Sequence, residues 1–142
     1  MGLTTTHAKI GPLRFEFEAD VDAAPLSEIL LPDEIQNARV IKIDVEGAEW
    51  AVASGMASLL RCCRRDLEIV IEVVPEYLAP QGKRPEDVLQ IFLDGGFYAY
   101  SLPPEDDASF YLSSNSERPR RIRSSIQGET NVVLSRHDAE VL

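Results

Sequence analysis

Two short runs of apolar and β-branched residues constrain the fold more than any other feature of the chain. Residues 39–45 (Arg-Val-Ile-Lys-Ile-Asp-Val) and 66–74 (Asp-Leu-Glu-Ile-Val-Ile-Glu-Val-Val) have the composition of interior strands of a parallel sheet. A helix is predicted between them over residues 48–61, because its apolar residues recur at helical spacing. These residues are Ala48, Val52, Met56 and Leu59. The order of strand, helix and strand predicts an α/β layer architecture.

The rest of the chain continues this alternation of strands and helices. We predict a strand at 12–18, a short helix or turn at 25–31, a helix starting at 83–87 and ending at 95–96, a strand at 97–102, a long loop at 103–128 and a strand at 131–135. The last strand follows the loop without an intervening helix. It is therefore predicted to insert antiparallel at one edge of the sheet.

Length and charge restrict the class of protein. The 142 residues allow one domain, over residues 1–142. The net charge of −10 argues against a broad nucleic-acid-binding surface. No apolar run reaches the roughly 18 residues of a membrane span, and the first ten residues lack the pattern of a secretory signal. We expect a cytoplasmic protein with no membrane partner.

The cysteines and histidines give little support for a disulfide framework or a zinc site. Cys62 and Cys63 are adjacent, and neighbouring cysteines do not cross-link distant parts of a fold. They are expected to be reduced, as in a cytosolic protein. His7 and His137 lie near opposite ends of the chain. No metal ligands are therefore assigned to cysteine or histidine.

Four acidic residues follow or end the two central strands. Asp44 and Glu46 are two positions apart at the end of the first strand, so in an extended chain their side chains point the same way. Glu49 falls in the first turn of the following helix, and Glu72 lies near the end of the next strand. Ligands of open α/β sheets bind at the carboxyl ends of the strands. We therefore expect these carboxylates to converge on a ligand site.

A structural interpretation competes with this one. Acidic residues favour helix N-termini, so an alternative interpretation is that Glu49 and Glu46 only stabilise the helix. Asp44 is harder to explain in this way, because a carboxylate at the end of an apolar strand costs free energy unless it faces solvent or a partner. Lys42 is a candidate partner for one of these acids. Trp50 is interpreted as a packing residue.

The segment 39–50 (Arg-Val-Ile-Lys-Ile-Asp-Val-Glu-Gly-Ala-Glu-Trp) closely resembles the signature of the FkbM family of S-adenosylmethionine-dependent methyltransferases. The resemblance continues, in the family's order, through Ser54–Met56, Ile69–Pro75, Gly96–Tyr100 and Thr130–Arg136. It covers roughly residues 25–138.

The resemblance implies a class I methyltransferase fold, a Rossmann-like sheet of strand order 3-2-1-4-5-7-6 with an antiparallel seventh strand. Residues 40–45, 67–74, 97–102 and 131–135 then correspond to strands four to seven. The family's glycine-rich cofactor loop is not visible, because Gly2 and Gly11 are isolated. The chain thus resembles the C-terminal part of the domain, and the implied partners are a second copy or a chain that supplies the N-terminal half.

The implied reaction is O-methylation of a small molecule or sugar, with S-adenosylmethionine as cofactor. Asp44 would orient the acceptor hydroxyl or the methionine end of the cofactor, and Glu46 would act as general base. Glu72 and Glu49 would bind the acceptor. A cluster of basic residues in the long loop either contacts an acidic partner or is a solvated surface. These residues are Arg118, Arg120, Arg121 and Arg123.

A divalent metal site is an alternative use of the same acids. Asp44, Glu46, Glu49 and Glu72 are hard oxygen ligands of the type that Mg²⁺ and Ca²⁺ prefer. A non-catalytic half-domain that acts through dimerisation or a partner chain is a further alternative, because loss of the first three strands would leave the fourth as an edge.

Overall fold

The structure is a computed structural model that describes residues 22–102 and 119–141. Its helices are α1 (Leu26–Ile29), α2 (Pro32–Asn37), α3 (Glu49–Met56), α4 (Pro75–Leu78) and α5 (Pro85–Asp94). Its strands are β1 (Val40–Ile43), β2 (Glu68–Val73), β3 (Tyr98–Ser101), β4 (Arg120–Arg121) and β5 (Thr130–Ser135). Single 3₁₀ turns lie at Leu59–Arg61 and Ala79–Gln81. The predicted mixture of helices and strands is confirmed.

The five strands form one mixed sheet of order β1-β2-β5-β3-β4. Strand β1 runs parallel to β2, whereas β5 runs antiparallel to both of its neighbours, β2 and β3. The predicted antiparallel last strand is therefore present, but its predicted place at an edge is wrong. In the interior, β5 pairs both of its backbone edges and fully buries Val132 and Leu134.

One face of the sheet carries the hydrophobic core. Alternate residues of β2, namely Ile69, Ile71 and Val73, are fully buried. Helices α3 and α5 pack against each other, with α3 also contacting β2 and α5 contacting β3. On the opposite face Val70 and Glu72 are only half-buried. Strand β2 is therefore an interior strand between β1 and β5, as its composition predicted, but within the described residues it fully buries only one of its faces.

The apolar stripe of α3 is displaced by one residue from the prediction. Glu49, Ala53 and Met56 are buried, whereas Ala48 and Val52 are half-buried. The displacement follows from Glu49, whose side chain turns back to the loop before the helix. The regular helix also ends at Met56, earlier than predicted, and a 3₁₀ turn follows.

Other predicted boundaries agree to within a few residues, with three differences. Helices α2 and α4 were not predicted, although Pro32 and Pro75 stand at their first positions. Strand β4 lies inside the segment 103–128, which the sequence predicted to be loop, and it pairs with β3. The predicted strand at 12–18 and residues 103–118 of the predicted loop lie outside the described residues.

The segment after β5 forms ion pairs and a hydrogen bond with residues of β3, of β4 and just after β4. Arg121 Nη1 lies 3.3 Å from an Asp138 carboxylate oxygen, and Arg123 pairs with Glu140. The Tyr100 hydroxyl donates to Asp138 at 3.0 Å. Arg121 and Arg123 are thus paired with carboxylates of the same chain, and the hypothesis that the basic cluster contacts an acidic partner stays a prediction. None of the described helices has the length and apolar character needed to cross a bilayer.

Candidate functional site

The carboxyl ends of β1 and β2 lie side by side because the two strands are parallel. Ile43 pairs with Ile71, so the next position on β1, Asp44, follows the register beside Glu72. Lys42 donates a hydrogen bond to Asp44 Oδ2 at 3.0 Å. Both of these side chains are exposed, at 64% for Lys42 and 49% for Asp44. The structure therefore brings Asp44, Glu72 and Lys42 together, and it confirms the Lys42 pairing.

A left-handed turn follows β1. Glu46 has φ +32° and Gly47 has φ +100°, so the chain is not extended there and strand alternation does not determine the direction of the Glu46 side chain. Glu46 is exposed. A Cβ atom on residue 47 would lie 3.4 Å from the Tyr77 Cβ, in a backbone conformation that L residues rarely adopt. The φ value of Gly47 therefore favours glycine, whereas a distance of 3.4 Å to Tyr77 is an ordinary van der Waals contact.

Side chains from two different elements hold the Gly47 peptide groups. The Gly47 N–H donates to Glu49 Oε1 at 2.8 Å. Gln81 Nε2 donates to the Gly47 carbonyl and also, at 3.0 Å, to the Tyr77 carbonyl. These bonds fix the turn that presents Glu46. Sequence reasoning did not identify Gln81, because nothing local to residues 75–82 indicates contact with residue 47.

Glu49 is placed differently from the other three acids. Its side chain is almost completely buried, at 1% exposure, in the first turn of α3. One carboxylate oxygen accepts the Gly47 N–H, and Oε2 has no hydrogen-bond partner among the described residues. The structure thus gives Glu49 a hydrogen bond to the turn before α3, which the sequence analysis did not predict, and its roles at the helix N-terminus and in acceptor binding stay predictions.

Glu72 is half-buried and has a perturbed acidity. Burial, followed by the charges of Asp44 and Glu129, raises the pKa of Glu72 above its ordinary value of 4.5, and Lys42 partly opposes this effect. Glu129 immediately precedes β5, whose first residue, Thr130, pairs with Val73. The sequence analysis did not identify Glu129, because its place beside Glu72 depends on the antiparallel register of β5.

The alternative of a metal site finds no support in the described part of the chain. No group of three or more histidine, cysteine or acidic residues is arranged there to hold an ion. Of the four predicted ligands, Glu49 turns inward to Gly47 and is therefore apart from the exposed Asp44. The Trp50 ring is covered by Lys83 Nζ, 3.8 Å from its centroid, which agrees with a packing role for Trp50.

We predict that carboxyl-carbon NMR will report a Glu72 pKa above 4.5 that falls in Asp44→Asn. The raised pKa means that the folded state binds this proton more tightly than the unfolded chain. Stability is therefore lost as the pH rises from the ordinary value through the raised pKa. Accordingly, Glu72→Gln should gain stability relative to the wild type over that interval. The exposed Glu76→Gln is the control, and a Glu72 pKa at or below 4.5 contradicts the prediction.

Comparison with known proteins gives one match. Residues 5–133 match the family model described as the methyltransferase FkbM domain. No curated protein and no solved structure matches the chain.

Proposed function

Because the chain belongs to the FkbM methyltransferase family, we propose that it takes part in methyl transfer from S-adenosylmethionine to a hydroxyl group of a small molecule or sugar. The observation that carries this proposal is the place of the exposed Asp44 beside the half-buried Glu72 at the carboxyl ends of the parallel strands β1 and β2. Ligands bind at this edge in open α/β sheets, particularly where the connectivity reverses.

The strand order supports a class I methyltransferase fold for the whole domain. The order β1-β2-β5-β3 corresponds to strands 4-5-7-6 of the implied 3-2-1-4-5-7-6 sheet, with β5 in the place of the antiparallel seventh strand. In that arrangement β1 borders the strands that carry the cofactor loop. Asp44 and Glu46 then face the point where cofactor and acceptor meet.

The chemistry of the carboxylates fits the proposed cofactor, which supplies an electrophilic methyl group on a cationic sulfur. Asp44 is exposed and negatively charged, and it is suited to hold the ammonium group of the methionine end or the acceptor hydroxyl. Glu46 would accept the proton of the hydroxyl as general base. Glu72, with its raised pKa, and the buried Glu49 would line the acceptor side of the site.

Calorimetric titration of S-adenosylmethionine into the chain tests the proposal. We expect binding by the wild type and at least about tenfold weaker binding by Asp44→Asn, because a charge-assisted hydrogen bond contributes about 1.5–3 kcal/mol. Glu76→Gln, an exposed acid on α4, is the matched control and should bind as the wild type does. Absence of binding by the wild type, or equal binding by Asp44→Asn, contradicts the proposal.

A second candidate is a half-domain that acts through a partner strand. Strand β1 ends the sheet order within the described residues, and its first residue, Val40, is 65% exposed. An apolar edge strand of this kind favours pairing with a second copy or with a chain that supplies the N-terminal half. Light scattering on a size-exclusion column tests self-association, and a monomer at micromolar concentration contradicts a homodimer.

We also propose a cytoplasmic location, because the thiols of Cys62 and Cys63 are both free.

A further inference from the structure

A basic cleft lies at the edge of the sheet opposite to Asp44 and Glu72. It has a volume of about 640 Å³ and is open to solvent. Its walls come from three segments of the chain. The segment after α3 contributes Arg61 and Arg65, the end of α5 contributes Gly95 and Gly96, and the segment after β5 contributes Arg136 and His137. We call it the arginine cleft. Clefts of about 300–1,000 Å³ are the size that holds small organic ligands.

The charge of the arginine cleft stands out against the rest of the molecule. The chain has 24 acidic and 14 basic residues, yet no carboxylate lines this cleft. Several other arginines of the described residues are paired with carboxylates, as in Arg39 with Asp66 at 3.8 Å. By contrast, Arg61 and Arg65 have no carboxylate within 4.0 Å in the ranges 22–102 and 119–141, and both are exposed. Their charge is available to an external anion.

Arg136 adds a cation that is already held in place. Its guanidinium donates to the carbonyls of Leu60, Cys63 and Arg64. Its central carbon lies 4.5 Å from the centre of the Phe97 ring. No carboxylate among the described residues neutralises the Arg136 guanidinium. Because the side chain is already held in place, binding of a ligand beside it costs no additional side-chain entropy. Of the two glycines in the lining, Gly96 has no atom within 4 Å of the place where a Cβ would lie, so the cleft is open beside it, whereas Gly95 packs against Leu60.

We propose that the arginine cleft binds the diphosphate or triphosphate group of a small organic molecule. Guanidinium groups match phosphate oxygens through two parallel N–H donors, and a chain of phosphates carries more negative charge than a single carboxylate, which suits a cleft lined by three arginines. Arg61 and Arg65 would contact the phosphate oxygens directly, while Arg136 supplies a fixed positive charge behind them. S-adenosylmethionine carries no phosphate, so this site is separate from the proposed methyl-transfer site.

Calorimetric titration with inorganic tripolyphosphate at about 50 mM salt, where exposed charges are weakly screened, tests the proposal. We expect one tripolyphosphate per chain, and at least about tenfold weaker binding by the double variant Arg61→Gln/Arg65→Gln, because two charge-assisted contacts are removed. Both side chains are exposed, so the variant is expected to fold, and circular dichroism checks this.

The control is the double variant Arg84→Gln/Arg123→Gln, which makes the same change in net charge at two ion-paired arginines. It should bind tripolyphosphate within about twofold of the wild type, since surface ion pairs of this kind contribute little elsewhere. Citrate, an anion without phosphate, should bind much more weakly. The proposal is overturned if the wild type does not bind tripolyphosphate, if both double variants bind equally, or if citrate binds as tightly.

Discussion

Replacing Arg136 with methionine is expected to lower the free energy of unfolding by about 3 kcal/mol, because hydrogen bonds from a charged donor contribute about 1.5–3 kcal/mol each and are not additive. The guanidinium donates to the carbonyl oxygens of Leu60, Cys63 and Arg64, at 3.4 Å for Cys63 and 3.2 Å for Arg64. It also lies over the Phe97 ring. Methionine keeps the apolar stem but leaves these half-buried carbonyls without a donor.

Urea unfolding measures this loss, and two further variants separate its causes. Arg136→Lys keeps the charge but loses the planar fork, so we expect an intermediate loss. Arg84→Met removes an exposed arginine at the start of α5 and should change the free energy of unfolding by less than about 0.5 kcal/mol. A loss in Arg136→Met no larger than that in Arg84→Met would show that the three carbonyls find other donors.

Replacing Glu49 with alanine is expected to lower the free energy of unfolding by about 2–3 kcal/mol, since a buried donor left without its acceptor costs about 1–3 kcal/mol and a cavity adds to that cost. The donor in question is the Gly47 N–H, 2.8 Å from Glu49 Oε1. Glu49→Gln retains an acceptor for this N–H. It also replaces the buried Oε2, which has no partner among the described residues, by a neutral amide.

The comparison of the two Glu49 variants in urea unfolding distinguishes a turn-stabilising role from a general helix effect. We expect Glu49→Gln to stay within about 1 kcal/mol of the wild type, because the contact with Gly47 survives. Glu86, a first-turn acid of α5, provides the matched control. Glu86→Ala should cost less than about 1 kcal/mol, as expected for interaction with the helix dipole alone. Equal losses in Glu49→Ala and Glu86→Ala would refute a specific role for Glu49.

The acidic cluster illustrates how far sequence reasoning reaches. Asp44 and Glu72 end two strands with apolar neighbours, and parallel pairing of those strands was enough to place them at one edge. The same reasoning did not predict the local environments of Glu46 and Glu49, because it assumed an extended chain and an outward-facing helix. Glu46 lies in a left-handed turn with Gly47, and the buried Glu49 accepts a hydrogen bond from that turn. The exposed Asp44 and the inward-facing Glu49 therefore differ in environment despite their closeness in sequence.

The partners of the cluster show what the sequence could not supply. Glu129 reaches Glu72 through the antiparallel register of β5, and Gln81 reaches Gly47 across a separation of 34 residues. Neither contact can be predicted from a local sequence pattern. Similarly, the arginine cleft joins residues from three separate segments of the chain, which only packing of α3, α5 and β5 brings together.

The sequence by itself determined the order of helices and strands, the family and the two acids at the strand ends. These features rest on local periodicity, on backbone preference and on residues close in the chain. The tertiary structure decided that β5 lies inside the sheet, that Glu49 faces inward, and which arginines of the described residues have a carboxylate partner. Those outcomes depend on strand register and on burial, both of which are set by residues far apart in sequence.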